Sequence, residues 1–183
     1  MNIHQLSVSH DERQDRLLLR FNTQDGKEFR FWLTRRMATR LVPAMDQSVA
    51  RLEASQPGIA AADVSSQKML SELKRDAFLQ TADFSTPYAA QSQQLPLGEK
   101  PFLVTDAQLS LQPNSSLQIT FQKKTGDAIQ SCQLNLQAQL VHGLIHLIRQ
   151  SMTKAEWNCS AQTTEPHSDN ARGTVAEQQT YKH

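Results

Sequence analysis

Polar and apolar residues alternate in three short segments near the start of the chain, with the period of two that half-buried β-strands show. The first segment, residues 2–8, alternates weakly. The next two carry an apolar face made of Leu17, Leu19 and Phe21, then of Phe29, Phe31 and Leu33. Asp25-Gly26 between them is a hairpin-turn signal. After Thr34, the predicted N-cap, the apolar spacing becomes helical and continues to about residue 51 or 53.

The same order of elements recurs from residue 101, with strand-like segments followed by a long helical pattern. Apolar positions and a turn glycine correspond between the halves: Leu17 with Leu117, Leu19 with Ile119, Phe21 with Phe121 and Gly26 with Gly126. In the third strand of the second half the apolar phase shifts from Ile129 to Cys132, and the extra residue predicts a β-bulge. In the helices, "RLVPAM" aligns with "QLVHGL". We interpret this pattern as an internal duplication.

The predicted fold is therefore α+β, with two tandem βββα units that pack as one globular domain over residues 1–157. Each unit is an antiparallel meander followed by a long helix. The units span residues 1–53 and 101–157. One meander with one helix buries little apolar surface by itself, whereas two such units packed together, or paired across a dimer, would bury enough.

The connector between the units, residues 54–100, has a different pattern. Asp63 is expected to cap an amphipathic helix whose apolar face is formed by Val64, Met69, Leu73, Ala77 and Phe78. An irregular surface path follows, with Phe84 and Tyr88 as its expected anchors. The polar tail, residues 158–183, has almost no apolar residues and is expected to be disordered.

The composition limits the classes of function. The 183 residues carry a formal net charge of +1, so no global field draws the protein to nucleic acid or acidic membranes. Cys132 and Cys159 are the two cysteines and lie outside metal or redox spacings, which favours a reducing compartment. The N-terminus lacks the pattern of a signal peptide, and no apolar run reaches the length of a membrane span. We expect a cytoplasmic protein without a membrane partner.

Enzyme signatures are missing from the sequence. Its six glycines are isolated, so it has no phosphate-binding loop, dinucleotide fingerprint or G-x-S-x-G elbow. His142 and His146 have the spacing of zinc-binding helices, but Gly143 stands where metalloproteases carry glutamate, and no third ligand is evident. The alternative is a polar stripe on the outer side of the helix. We expect a non-enzymatic protein with no catalytic residue, no cofactor and no metal.

Three arginines lie at the start of the first helix: Arg35, Arg36 and Arg40. A helix N-terminus is already electropositive, so these cations are a candidate site for a phosphate or carboxylate. The alternative is a solvated arginine face. Arg30 and Trp32 precede them on the outer face of the third strand, and the five residues together form the candidate ligand surface.

The last helix has a wider apolar arc than one sheet face needs. One interpretation is that it packs in a groove between both sheets. The other is a dimer or partner interface. The candidate interface residues are Leu140, Leu144, Leu147, Ile148, Met152 and Trp157.

These features favour an interaction, adaptor or regulatory protein that acts through protein contacts, with a homodimer as the expected assembly. The alternative is a single-stranded nucleic-acid-binding module that uses the basic and aromatic face around Trp32. In element order, tandem meander-plus-helix units resemble the Whirly and Pur-type single-strand binders. Those folds normally have four strands per unit, and no motif is shared with them. The resemblance implies that the outward sheet faces bind the ligand.

Overall fold

The structure, a computed structural model, describes residues 3–55, 63–89 and 94–157. It is an α+β fold with seven strands and three helices in these residues. In chain order they are β1 (Ile3–Asp11), β2 (Arg16–Thr23), β3 (Glu28–Thr34), α1 (Arg35–Ala54), α2 (Val64–Thr81), β4 (Phe102–Leu103), β5 (Asp106–Gln112), β6 (Ser116–Thr125), β7 (Ala128–Gln137) and α3 (Ala138–Lys154). The tail predicted to be disordered lies outside the described residues.

The strands form two sheets, one with the order β1-β2-β3-β4 and one with the order β5-β6-β7. The segment from residue 101, predicted as one strand, is divided between them. Phe102 pairs in parallel with Phe31 of the first sheet, and the Val104 amide donates to the Trp32 carbonyl at 3.0 Å. The next amide, of Thr105, donates to Gln122 of the second sheet at 2.8 Å. The chain therefore crosses from one sheet to the other between two adjacent residues.

The apolar faces predicted from the alternation are the buried faces of both sheets. Their members are 6% exposed or less: Leu17, Leu19, Phe21, Phe29, Phe31, Leu33, Leu117, Ile119 and Phe121. The rings of Phe31 and Phe121 lie 4.9 Å apart between centroids and join the two sheets in one apolar core. Burial of nine large side chains supplies most of the driving force for this association.

The predicted β-bulge in the third strand of the second half is wrong. Pairing of β6 with β7 is continuous from Ser116↔Gln137 to Thr125↔Ala128, and Ile129 lies on the outer face, 62% exposed. The phase shift arises because this hairpin closes with a shorter turn and longer strands than the β2–β3 hairpin. The longer strands also shift the alignment of the two helices relative to the one predicted from the sequence. Leu41 now corresponds to Leu144, since each follows the start of its helix by the same number of residues.

Each long helix follows one sheet in the chain and packs against an edge strand of the other sheet. Helix α1 lies along β5, α3 lies along β1, and the two helices contact each other. Helix α3 thus fills the space between the sheets, and Leu144, Ile148 and Met152 are buried there. This placement explains the width of its apolar arc, because the helix meets core on several sides.

The predicted caps and anchors are confirmed. The Thr34 hydroxyl accepts from the Met37 amide at 3.2 Å, and the Asp63 carboxylate caps α2. Tyr88 lies under the Arg20 guanidinium at 4.4 Å, and Phe84 packs on His146 with ring centroids 4.8 Å apart. The connector is therefore held to the body at two aromatic side chains.

Candidate functional site

The outer face of the first sheet, predicted to bind a ligand, is crossed by the protein's own connector. Asn22 of this face donates to the Ala89 carbonyl at 3.2 Å, and the Ala89 amide donates to Gln5 at 3.1 Å. Tyr88 is packed against Arg20 in the neighbouring row. Burial, with the Glu28 carboxylate beside it, raises the pKa of Tyr88 well above its usual range, so the phenol stays neutral.

Arg30 and Trp32 project from this same face, and neither is freely exposed. Arg30 donates to the Glu99 carbonyl at 3.3 Å and forms an ion pair with Glu28 at 3.4 Å. Trp32 is half-buried, next to Leu18 on β2 and Leu103 on β4. The connector and the short strand β4 thus occupy much of the area that a stacked base would need.

The three helix arginines are exposed but do not converge on one point. Arg35 lies near the Asp15 carboxylate. The pKa of Asp15 is lowered mainly by the hydrogen bond from the Trp157 indole, and further by His10 and by the positive charge of Arg35. Arg36 and Arg40 instead line a groove of about 430 Å³ between α1 and the edge strand β5. The five residues of the predicted ligand surface therefore lie in three places.

Most of the predicted partner interface on α3 is inside the protein. Leu144, Ile148 and Met152 are at most 1% exposed and belong to the core. Trp157 is also buried in the core, and its indole nitrogen donates to Asp15 Oδ1 at 2.7 Å. These four residues are therefore unavailable to a partner. They agree with the interpretation that the helix packs between the two sheets. Leu140 at 36% exposure and the half-buried Leu147 are the members that reach the surface.

His142 is buried and does not form a polar stripe on the outer side of α3. Its Nε2 lies 3.0 Å from Glu53 Oε1 of α1, and the Ser71 hydroxyl of α2 donates to the other oxygen of the same carboxylate. Burial opposes ionisation, but these hydrogen bonds outweigh it and lower the pKa of Glu53. The carboxylate joins all three helices. Among the described residues no group of three or more histidine, cysteine, aspartate or glutamate side chains is placed to hold a metal ion.

The surface that the sequence interpretation missed is on α2. This helix contacts both α1 and α3. Its side towards α1 includes Gln67, Ser71 and Arg75, and the Phe78 ring lies against Gly143 of α3. Its apolar side points to solvent, with Met69 70% and Leu73 64% exposed. We call this surface the α2 apolar face, formed by Met69, Leu70, Leu73 and Ala77.

The amphipathic pattern of α2 is visible in the sequence, but the direction of its apolar side is not. Phe78, predicted as part of the apolar face, instead turns inward and contacts the position of Gly143. Helices of monomeric proteins normally bury the apolar stripe and expose the polar one. Helix α2 instead exposes Met69 and Leu73, and exposed apolar patches of this kind are typical of interaction surfaces.

Comparison of the chain with family models, curated proteins and solved structures finds no match. Within the part of the chain that the structure describes, none of the helices is long and apolar enough to cross a membrane.

Proposed function

We propose that this chain is a non-enzymatic interaction protein that forms a homodimer through the α2 apolar face and so serves as an adaptor or regulator. The observation that carries the proposal is the exposure of Met69 and Leu73 on a helix whose side towards α1 is largely polar. Burying such side chains is worth roughly 1.5–3 kcal/mol each, so a surface that covers them gains substantially.

A second copy fits this face because the face is complementary to itself under a two-fold axis. Leu73 stands at the middle of α2 (Val64–Thr81), so an antiparallel pair of these helices brings it against Leu73 of the second copy. The same arrangement sets Met69 of one copy opposite Ala77 of the other, a large side chain against a small one. Interdigitation of this kind is how helix surfaces pack.

Sedimentation equilibrium of the full chain tests the assembly. The wild-type protein should have twice the chain mass of 20.6 kDa. Met69→Gln/Leu73→Gln should have the mass of a monomer, because glutamine favours helix but removes the apolar contact. Ile129→Gln is the matched control, since Ile129 is 62% exposed on a different surface, and it should remain a dimer. A wild-type monomer at all concentrations would refute the proposal.

Single-stranded nucleic acid is the less supported partner. Binding would need the outer face of the first sheet, where Tyr88 covers Arg20 and Glu99 engages Arg30. Fluorescence anisotropy of labelled single-stranded DNA and RNA at two salt concentrations tests it. Salt-sensitive micromolar binding that Trp32→Ala abolishes would restore this alternative.

A cytoplasmic location belongs to the same proposal. Cys132 is a free, buried thiol, and burial raises its pKa to about 11. A thiol of this kind needs no oxidising compartment. Alkylation of protein quenched directly from cells should find Cys132 and Cys159 reduced, whereas a mixed disulfide at either position would argue against a reducing location.

We also propose that the chain arose by duplication of a βββα unit, within one domain spanning residues 1–157. Support comes from the register of the two hairpins, which matches buried positions of α1 and α3: Leu41 with Leu144, Val42 with Ile145, Met45 with Ile148 and Val49 with Met152. Aligned sequences of relatives should show greater similarity between halves in this register than in the alignment of "RLVPAM" with "QLVHGL".

A further inference from the structure

We infer that the groove between α1 and β5 binds an extended acidic peptide segment of a partner protein, one that carries carboxylates at alternate positions. We call this the α1–β5 groove. One wall is helical, with Arg36, Met37, Arg40 and Leu41, and the other follows the chain from Leu103 to Leu109. The groove therefore has an apolar floor, a cationic rim and the edge of a sheet.

The edge of β5 is suited to strand addition. Within the described residues β5 pairs with β6 on one side, and the groove runs along its other side. The Ala107 amide donates to Asp106 Oδ1 at 2.8 Å, a local hydrogen bond that an incoming strand can replace. Edge strands with free peptide groups accept an extended peptide, whose alternate side chains then face the groove wall.

The two arginines on the rim of the groove determine the sign and the spacing of the charges that a bound peptide should carry. The guanidinium groups of Arg36 and Arg40 are exposed and make no hydrogen bond or ion pair with the described residues, whereas Asp106 is already paired with Lys124 at 3.2 Å. The two arginines stand one helical turn apart, a rise of about 6 Å. Alternate residues of a β-strand are separated by about 6.6 Å. Two carboxylates with one residue between them thus match the two guanidinium groups.

The equivalent groove in the other half is lined in part by a segment of the protein's own chain. It lies between α3 and β1, and the protein's own connector segment, residues 82–88, runs against it. Phe84 of this segment packs on His146, and Phe78 covers Gly143. By strand register Gly143 is the counterpart of Arg40. The fold therefore forms two grooves, one lined in part by its own connector and the other lined by Arg36 and Arg40.

A second copy of the chain is the wrong occupant for the α1–β5 groove. Pairing β5 with β5 across a two-fold axis would bring Arg36 and Arg40 of both copies together, and like charges at close range oppose association. The inference concerns a surface separate from the α2 apolar face, so it does not depend on the homodimer.

Fluorescence anisotropy of the full chain with a labelled Gly-Val-Glu-Val-Glu-Val-Gly peptide tests the inference. Saturable binding at or below about 100 µM that weakens with salt is expected. A peptide of the same composition with adjacent glutamates should bind several-fold more weakly, because its carboxylates point to opposite sides of the strand. Binding should also slow hydrogen exchange of amides in residues 107–111.

Arg36→Gln/Arg40→Gln should weaken the alternating peptide roughly fivefold to tenfold. Arg51→Gln, an exposed arginine on the same helix outside the groove, should leave it unchanged. Met69→Gln/Leu73→Gln should also bind normally, which separates failure of this inference from failure of the dimer. Equal affinity for both peptides, retained binding in the double arginine variant, or no saturation below about 1 mM would each overturn the inference.

Discussion

Replacing Glu53 by glutamine tests the contact that holds the three helices together. The carboxylate is 5% exposed, lies 3.0 Å from His142 Nε2 and accepts from Ser71. A hydrogen bond to a charged group contributes about 1.5–3 kcal/mol, and glutamine keeps the shape and one acceptor oxygen. We therefore expect Glu53→Gln to lower the free energy of unfolding by about 2 kcal/mol at pH 7. For a chain of this length the melting temperature should fall by about 4–8 °C.

The loss should depend on pH in a defined direction. Because the folded pKa of Glu53 is lowered, its stabilising contribution is present above the unfolded carboxyl value of about 4.3 and disappears as pH falls through the folded value. The difference in unfolding free energy between wild type and Glu53→Gln should be full at pH 7 and should narrow as the pH falls below about 4.3. The other carboxylates, including Asp46, are common to both proteins and cancel in the difference.

Urea denaturation at matched protein concentration, at pH 7 and at pH 3.5, measures this gap. Glu12→Gln, in the exposed turn between β1 and β2, is the control and should change stability by less than about 0.5 kcal/mol. A gap at pH 7 as small as that of the control, or one that stays constant between the two pH values, would refute the role assigned to the Glu53 carboxylate.

Three further substitutions or modifications have defined outcomes. Ser151→Ala removes a buried hydroxyl that donates to the Val8 carbonyl at 3.0 Å, and thermal denaturation should show a loss of about 1 kcal/mol. Gly143→Ala should instead stabilise the protein by about 0.5–1 kcal/mol, because a Cβ there meets a ring carbon at an acceptable 3.4 Å and alanine favours helix. A measured destabilisation would show that the helix cannot approach the ring. In a Cys159→Ser background, Cys132 should resist iodoacetamide at pH 8 until urea unfolds the protein, because burial raises its pKa to about 11; rapid alkylation of the native protein would contradict this.

The strands and the helix ends were predictable because local periodicity and capping determine them. Leu17, Leu19 and Phe21 alternate with polar residues, and a period of two assigns them to one face whatever lies opposite. Thr34 and Asp63 likewise act on amides within three residues. These signals require no knowledge of distant parts of the chain.

What the sequence did not predict depends on tertiary contacts. Glu53 and His142 are 89 residues apart, and only the packing of α1 against α3 brings them together. The segment from residue 101 is divided after Val104, because the Val104 amide bonds to the first sheet and the Thr105 amide bonds to the second. The exposed apolar side of α2 was missed for the same reason. The periodicity of α2 locates its apolar side but does not determine whether that side packs against the rest of the protein or faces solvent.

Cross-linking of Leu73→Cys in a Cys159→Ser background tests the proposed interaction function most directly. The proposed antiparallel pairing of α2 would place the two copies of residue 73 beside the two-fold axis, so mild oxidation should produce a disulfide-linked dimer in high yield. Ile129→Cys, similarly exposed on the distant hairpin, should remain monomeric on a denaturing gel. Equal yields from both positions, or no cross-link at position 73, would contradict the account that the exposed apolar side of α2 is an interface.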